Sequence, residues 1–157
     1  MERKKVFHLD GGAGRVICAI PALEKYAKKN PDKDFGIIIG GWDTLMFGNR
    51  LLQDKTYSMD VKGIFNLLIK DNQVIHPEPY LLWEYYNQKC SLVEGFDKII
   101  NETDDHSDLD PPHLYLAKAE EKGASNLIAA VESKQSKNKT IVIQPFGRSA
   151  RVDNGDI

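Results

Sequence analysis

The fold of this chain is decided by the stretch VFHLDGGAGR, residues 6–15. Val6 to Leu9 predict a short buried strand, and the glycines that follow predict a tight turn. An apolar helical pattern begins directly after the turn and ends at Asn30-Pro31-Asp32. Residues 35–39 then predict a second buried strand, which Gly40-Gly41 closes. Strand, helix and strand in this order make one βαβ unit, which requires parallel strands and a right-handed crossover.

The rest of the chain alternates weaker strand and helix patterns. Residues 72–75 predict a third strand, residues 80–88 and 91–101 predict helices, and residues 140–144 predict a further strand. We therefore expect an α/β fold, a three-layer Rossmann-like parallel sheet with helices on both faces. We expect residues 1–138 to form this domain. Residues 139–157 are expected to begin a second domain or to form a C-terminal strap.

Composition excludes several classes of protein. The chain has 157 residues, a formal net charge of −2 and 41% hydrophobic residues, so one ordinary globular domain is expected. Nothing in this charge favours nucleic acid as a partner. No apolar stretch is long enough to cross a bilayer, and no signal sequence opens the chain, so the expected location is cytoplasmic.

The glycine turn predicts a ligand site because ligands of open parallel sheets bind at the carboxyl ends of the strands. The helix after the turn also offers unpaired backbone N–H groups. However, Gly11-x-x-Gly14 fits neither the dinucleotide fingerprint nor the phosphate-binding loop of NTPases. A tight turn without any ligand is an equally good interpretation of the residues alone.

The segment Gly12 to Leu23, GAGRVICAIPAL, resembles the N-terminal signature of the ADP-heptose:lipopolysaccharide heptosyltransferase family. Residues 141–147 are similar to the strand and glycine turn that open the family's second domain. The resemblance implies the N-terminal, acceptor-side half of a GT-B glycosyltransferase. It also implies a nucleotide-sugar donor, a glycan acceptor, a second domain or chain as partner, and no metal or other cofactor. Because the donor site belongs to the second half, we expect the isolated chain to be inactive.

One position departs from the family pattern. Arg15 occupies the place of the aspartate that the family is thought to use as the general base. A guanidinium stays protonated, so it cannot accept a proton as a carboxylate does, although it can bind an anionic acceptor or phosphate. A base would then have to be Asp10 or Asp43, each of which follows a predicted strand. The candidate catalytic residues are Asp10, Arg15 and Asp43, and an N-cap role remains the competing interpretation of Asp43.

Further residues are candidates for substrate binding because they lie in turns at the same edge of the sheet. They are Gly11, Gly12, Gly14, Gly41, His76, Arg148 and Ser149. Trp83, Tyr85 and Tyr86 suit stacking on a sugar ring, but packing of a helix on the sheet is the favoured interpretation. The acidic segment 102–110 is expected to be a solvated loop.

Two other functions remain open on the sequence. The chain could be a non-catalytic sugar- or nucleotide-binding Rossmann-like module, that is, a truncated or degenerate transferase. Arg15 in place of a carboxylate favours this alternative. The chain could also be an unrelated flavodoxin-like or Rossmann-like domain with a structural role.

Overall fold

The structure is a computed structural model that describes residues 3–132. The chain divides into a first compact unit that ends at Tyr115 and a second that begins at Leu116. The first unit contains one four-stranded parallel sheet. Its strands are β1 (Lys5–Leu9), β2 (Phe35–Ile39), β3 (Thr56–Ser58) and β4 (Gln73–Ile75), in the order β3-β2-β1-β4.

The βαβ unit that the sequence predicts is confirmed. Helix α1 (Ala13–Lys29) joins β1 to β2, and these strands pair in parallel from Lys5 opposite Phe35 to Leu9 opposite Ile39. The predicted third strand is also confirmed as β4, which pairs with the other side of β1. Strand β1 therefore lies inside the sheet with a neighbour on each side.

The two faces of the sheet carry alternate residues of each strand. Phe7 and Leu9 of β1 join Ile37 and Ile39 of β2 in the main core, together with residues of α1 and with Phe96 and Ile100 from later in the chain. Their burial is complete or nearly so, which supplies most of the hydrophobic stabilisation of the unit.

The opposite face is covered by a short π-helical segment, Phe65–Ile69. Its Leu68 packs with Val6 and Ile38 in a second, smaller cluster. Gly36 permits this packing, since an added Cβ would lie only 3.0 Å from Leu68 Cδ2. The sheet thus has helical cover on both faces and belongs to the expected α/β class.

The segment after β4 is less regular than the sequence suggests. It contains a 3₁₀ turn at Pro79–Leu81, a single helical turn α2 (Trp83–Tyr86) and the helix α3 (Leu92–Asn101). Ser91 and Glu94 start α3 with a reciprocal capping box.

The second unit contributes one described helix, α4 (Lys118–Glu132). Its Leu127, Ile128 and Val131 are exposed. The expected second domain at 139–157, including the strand at 140–144, lies outside the described residues. Among the helices of residues 3–132, none is long and apolar enough to cross a membrane.

Candidate functional site

The sheet order brings two distant parts of the chain to one edge. Asp10 follows β1 and His76 follows β4, and these strands are parallel neighbours. Their carboxyl ends therefore meet, and the side chains of Asp10 and His76 approach each other. His76 Nε2 lies 3.7 Å from Asp10 Oδ2. Both side chains are partly exposed, which leaves this edge open to a ligand.

Arg15 links the two strand ends from the start of α1. Its Nη2 donates a hydrogen bond of 2.9 Å to the Pro77 carbonyl oxygen and pairs with Glu78 Oε1. Its Nη1 lies 3.3 Å from Asp10 Oδ1, and the side chain is only 11% exposed. The charge of this guanidinium is thus matched by two carboxylates. An anionic ligand would have to displace one of them to bind Arg15.

Gly11 has the conformation that this arrangement needs. Its φ of +86° lies in the left-handed region, which side-chain-bearing residues rarely adopt. A Cβ at this position would also meet Arg15 Cδ at 3.1 Å. The absence of a side chain at Gly11 therefore leaves room for the Arg15 side chain to reach the end of β1. Gly12 and Gly14 face open space, and Gly12 is the N-cap of α1 without a side-chain cap.

A histidine pair completes the edge. His8 Nδ1 and His76 Nδ1 are 3.0 Å apart, and the two rings meet edge to face. In the hydrogen bond between the two Nδ1 atoms one ring donates and the other accepts, and the tautomers decide which ring donates. Burial lowers the pKa of His8, and the neighbouring His76 lowers it further.

Two polar atoms of this cluster are not fully satisfied. Asp10 Oδ1 and Arg15 Nε are buried and have no hydrogen-bond partner among the described residues. Buried polar atoms without hydrogen-bond partners are rare in folded proteins, and a catalytic or ligand-binding role is one of the explanations for them. The Asp10 side chain as a whole is 49% exposed, so its other oxygen remains accessible.

The structure distributes the other predicted site residues differently. Asp43 begins a short 3₁₀ helix, Asp43–Met46, after β2. Within residues 3–132, no hydrogen bond or ion pair joins it to Asp10, Arg15 or His76. Gly41 has a left-handed φ of +89°. Arg148 and Ser149 lie outside the described residues.

Sequence reasoning missed three contributors to this edge: His8, Glu78 and Tyr80. His8 lies within β1, and its ring pairs with that of His76. Tyr80 lies beneath the Arg15 guanidinium at 5.5 Å from ring centroid to Cζ, and burial raises the pKa of its phenol. The HPEP motif at 76–79 was the available signal, since both His76 and Glu78 belong to it.

The aromatic segment after β4 contradicts the favoured interpretation of core packing. Trp83 is 67% exposed and Tyr86 is 83% exposed. The short turn α2 cannot present a continuous apolar face to the sheet, because it has only 4 residues. These rings instead remain at the surface beside the Pro79–Leu81 turn.

A second charged cluster lies at the other end of α1. Lys25 Nζ contacts Asp97 of α3 at 2.8 Å and pairs with Asp108, and both Lys25 and Asp97 are buried. His106 Nδ1 hydrogen-bonds Asp97 Oδ2 at 2.7 Å, and Lys25 donates to the Asp105 carbonyl oxygen. The acidic segment is a largely exposed loop, as the sequence predicts, but Asp108 and the Asp105 carbonyl oxygen also tie it to the buried Lys25.

Metal binding finds no support in the arrangement of side chains. Within residues 3–132, no group of three or more His, Cys, Asp or Glu residues is placed to hold a metal ion. The donors at the carboxyl edge are instead engaged with Arg15 and with each other.

Comparison of this chain with family models, with curated proteins and with solved structures found no match. The resemblance of Gly12 to Leu23 and of residues 141–147 to the heptosyltransferase family therefore stays a prediction.

Proposed function

We propose that this chain is the acceptor-side part of a nucleotide-sugar-dependent glycosyltransferase and that the Asp10 cluster activates the acceptor hydroxyl. The observation that carries the proposal is the placement of an accessible Asp10 carboxylate beside His76 at the carboxyl edge of a parallel sheet. The resemblance of the glycine turn and of α1 to the heptosyltransferase signature supports the same reaction class.

In the proposed reaction, the acceptor hydroxyl donates a hydrogen bond to Asp10 Oδ2. The gap of 3.7 Å to His76 Nε2 is too long for a direct hydrogen bond, so one hydroxyl group can contact both atoms. The acceptor oxygen attacks the anomeric carbon of the donor, and the bond from that carbon to the diphosphate breaks. The hydroxyl proton passes to Asp10, which is therefore the general base.

Arg15 has a positioning role in this scheme. It contacts Asp10, Glu78 and the Pro77 carbonyl oxygen, so it fixes the distance between the end of β1 and the segment after β4. It replaces the family's carboxylate without supplying a base. Asp10, which precedes Arg15 in the glycine turn, would act as the general base instead.

The test compares two carboxylates that both follow a strand. Transfer from radiolabelled nucleotide sugars to oligosaccharides is measured for the protein as its gene encodes it, and for the variants Asp10→Asn and Asp43→Asn. We expect Asp10→Asn to lower the rate about 10²–10⁴-fold, the usual contribution of a general base. Asp43→Asn should change the rate less than about threefold, because no hydrogen bond or ion pair within residues 3–132 joins Asp43 to the cluster.

Equal losses in the two variants, or a loss only in Asp43→Asn, would assign the base to Asp43 and contradict the proposal. Nucleotide-sugar binding without any transfer would favour the non-catalytic module. In that case calorimetry with ADP-sugars and UDP-sugars would measure the binding that the module retains.

A further inference from the structure

A surface pocket lies next to the Asp10 cluster, between the end of α2 and the start of α3. It has a volume of about 690 Å³ and is lined by tyrosines and polar side chains. The tyrosines are Tyr80, Tyr85 and Tyr86, and the polar residues include Gln88, Lys89 and Glu94. The pocket is open to solvent, and no step of the proposed acid–base chemistry uses its residues.

Its aromatic walls are held in place by local contacts. The Tyr80 and Tyr85 rings meet edge to face at 5.3 Å. Lys98 of α3 donates to Glu84 at 2.7 Å, which fastens α2 to α3. Tyr86 projects from this framework with 83% of its surface exposed, so a flat apolar face is offered to a ligand at little entropic cost.

Two polar side chains of the pocket, those of Gln88 and Lys89, are uncommitted, whereas Ser91 and Glu94 are engaged in the capping box of α3. Neither Gln88 nor Lys89 makes a side-chain hydrogen bond or ion pair with any other residue of 3–132. Gln88 also has a left-handed φ of +57°, an uncommon conformation for a residue with a side chain. An amide and an ammonium group beside exposed aromatic faces provide hydrogen-bond donors and a stacking surface together.

The pocket shares Tyr80 with the candidate catalytic edge. Tyr80 lines the pocket and also lies under the Arg15 guanidinium, which in turn contacts Asp10. The size of the pocket and its three tyrosines suit a molecule of several rings better than a single small ion.

We infer that the tyrosine pocket at residues 80–94 is a saccharide-binding subsite that holds the glycan acceptor. A sugar ring presents apolar C–H groups to an aromatic face and hydroxyl groups at its rim, which matches tyrosines flanked by Gln88 and Lys89. The role as acceptor subsite rests on the proposed function, whereas saccharide binding itself does not.

The test uses a matched pair of exposed aromatic residues on the same helical turn. Tyr86 lines the pocket, whereas Trp83 does not, although both are highly exposed. Binding of neutral trisaccharides of glucose, galactose and N-acetylglucosamine is measured by saturation-transfer NMR and by titration. We expect at least one of them to bind with a dissociation constant near or below about 1 mM.

We expect Tyr86→Ala to weaken this binding about tenfold and Trp83→Ala to change it less than about twofold. Both variants should keep the circular dichroism and melting temperature of the parent, because both side chains are exposed. Binding of none of the trisaccharides, or equal weakening in the two variants, would overturn the inference.

The Asp10→Asn variant separates this inference from the proposed function. It should lower the rate of transfer about 10²–10⁴-fold, while the trisaccharide still binds and its binding still depends on Tyr86. If the protein binds a trisaccharide through Tyr86 but shows no transfer, the saccharide subsite is supported and the proposed transferase function is contradicted. If the protein shows transfer but its pocket binds no trisaccharide, the transferase function is supported and the subsite is contradicted.

Discussion

Helix α1 carries a charged cluster at each end, and the two clusters contain the same kinds of groups. Each combines one cation, carboxylates and a histidine: Arg15 with Asp10 and His76 at the start, and Lys25 with Asp97 and His106 near the end. At Lys25 the charged atoms are buried and hydrogen-bonded. At Arg15 two buried atoms, Asp10 Oδ1 and Arg15 Nε, lack a hydrogen-bond partner among the described residues, and the Asp10 carboxylate is half exposed.

This difference separates a structural cluster from a candidate functional one. Asp97 accepts from Lys25, His106 and Asn101, so its two oxygens are saturated and no ligand can reach them. Burial alone would lower the pKa of Lys25, but hydrogen bonds to Asp108 and Asp97 outweigh it and raise that pKa. Composition alone therefore does not identify a site, whereas exposure and unsatisfied hydrogen-bonding groups distinguish the two clusters.

The largest expected effect is on stability, at the Lys25 cluster. Asp97→Ala should lower the free energy of unfolding by about 3–5 kcal/mol, because it leaves Lys25 buried without its main counter-charge. Urea unfolding followed by circular dichroism measures it. Asp110→Asn is the control, since its ion pair with Lys28 is exposed and should contribute less than about 1 kcal/mol. Similar losses in both variants would contradict the assignment of a buried, structural cluster.

A smaller loss of stability is expected at the other end of the helix. Arg15→Gln should lower the free energy of unfolding by about 1–3 kcal/mol, because the ion pairs with Asp10 and Glu78 are lost. The loss is smaller than that of Asp97→Ala because Asp10 and Glu78 can turn toward water when the guanidinium is removed. The same urea experiment measures this change. A cost larger than that of Asp97→Ala would mean that Arg15 is chiefly a structural residue, and the contrast between the clusters would fail.

The smallest expected effect is on the titration of His8. Its pKa should lie below 6.5, and NMR titration of the imidazole protons measures it. His76→Asn should raise the midpoint, though not fully to 6.5, because burial is the larger cause. Asp10→Asn should lower the midpoint, because the Asp10 carboxylate raises the pKa of His8.

The lowered pKa of His8 also predicts the sign of a pH effect on stability. The unfolded chain binds a proton at His8 more readily than the folded chain does. The stabilisation is therefore fully present above pH 6.5 and is lost as the pH falls through the folded pKa. A His8 midpoint above 6.5 would contradict the direction of the shift.

The sequence predicts the sheet well where its signals are local. The glycine turn after Leu9 and the apolar run 35–39 are enough to predict β1, α1 and β2, because a βαβ unit permits one handedness and one strand direction. Residues 72–75 were likewise predicted as a strand. Strand β3 was missed because Thr56–Ser58 is too short to show a period.

The site itself could be predicted only in part. The sequence places Asp10 and His76 at strand ends, but it does not reveal that β4 is the neighbour of β1. That adjacency is what brings His8 to His76 and Arg15 to Glu78, across 68 and 63 residues of chain. The exposure of Trp83 and Tyr86 was not predictable either, since aromatic residues at helical spacing carry no information about what covers them.

The order of the strands has a consequence for how the molecule folds. Strands β1 and β2 are joined by one helix, so their pairing closes a short stretch of chain, whereas β4 must return to β1 from across a much longer loop. Long-range pairings form late because the loop entropy is lost before the contacts are gained. During folding, Asp10 and Arg15 can therefore meet before Glu78 and His76 arrive, and the candidate site becomes complete only when the last edge of the sheet closes.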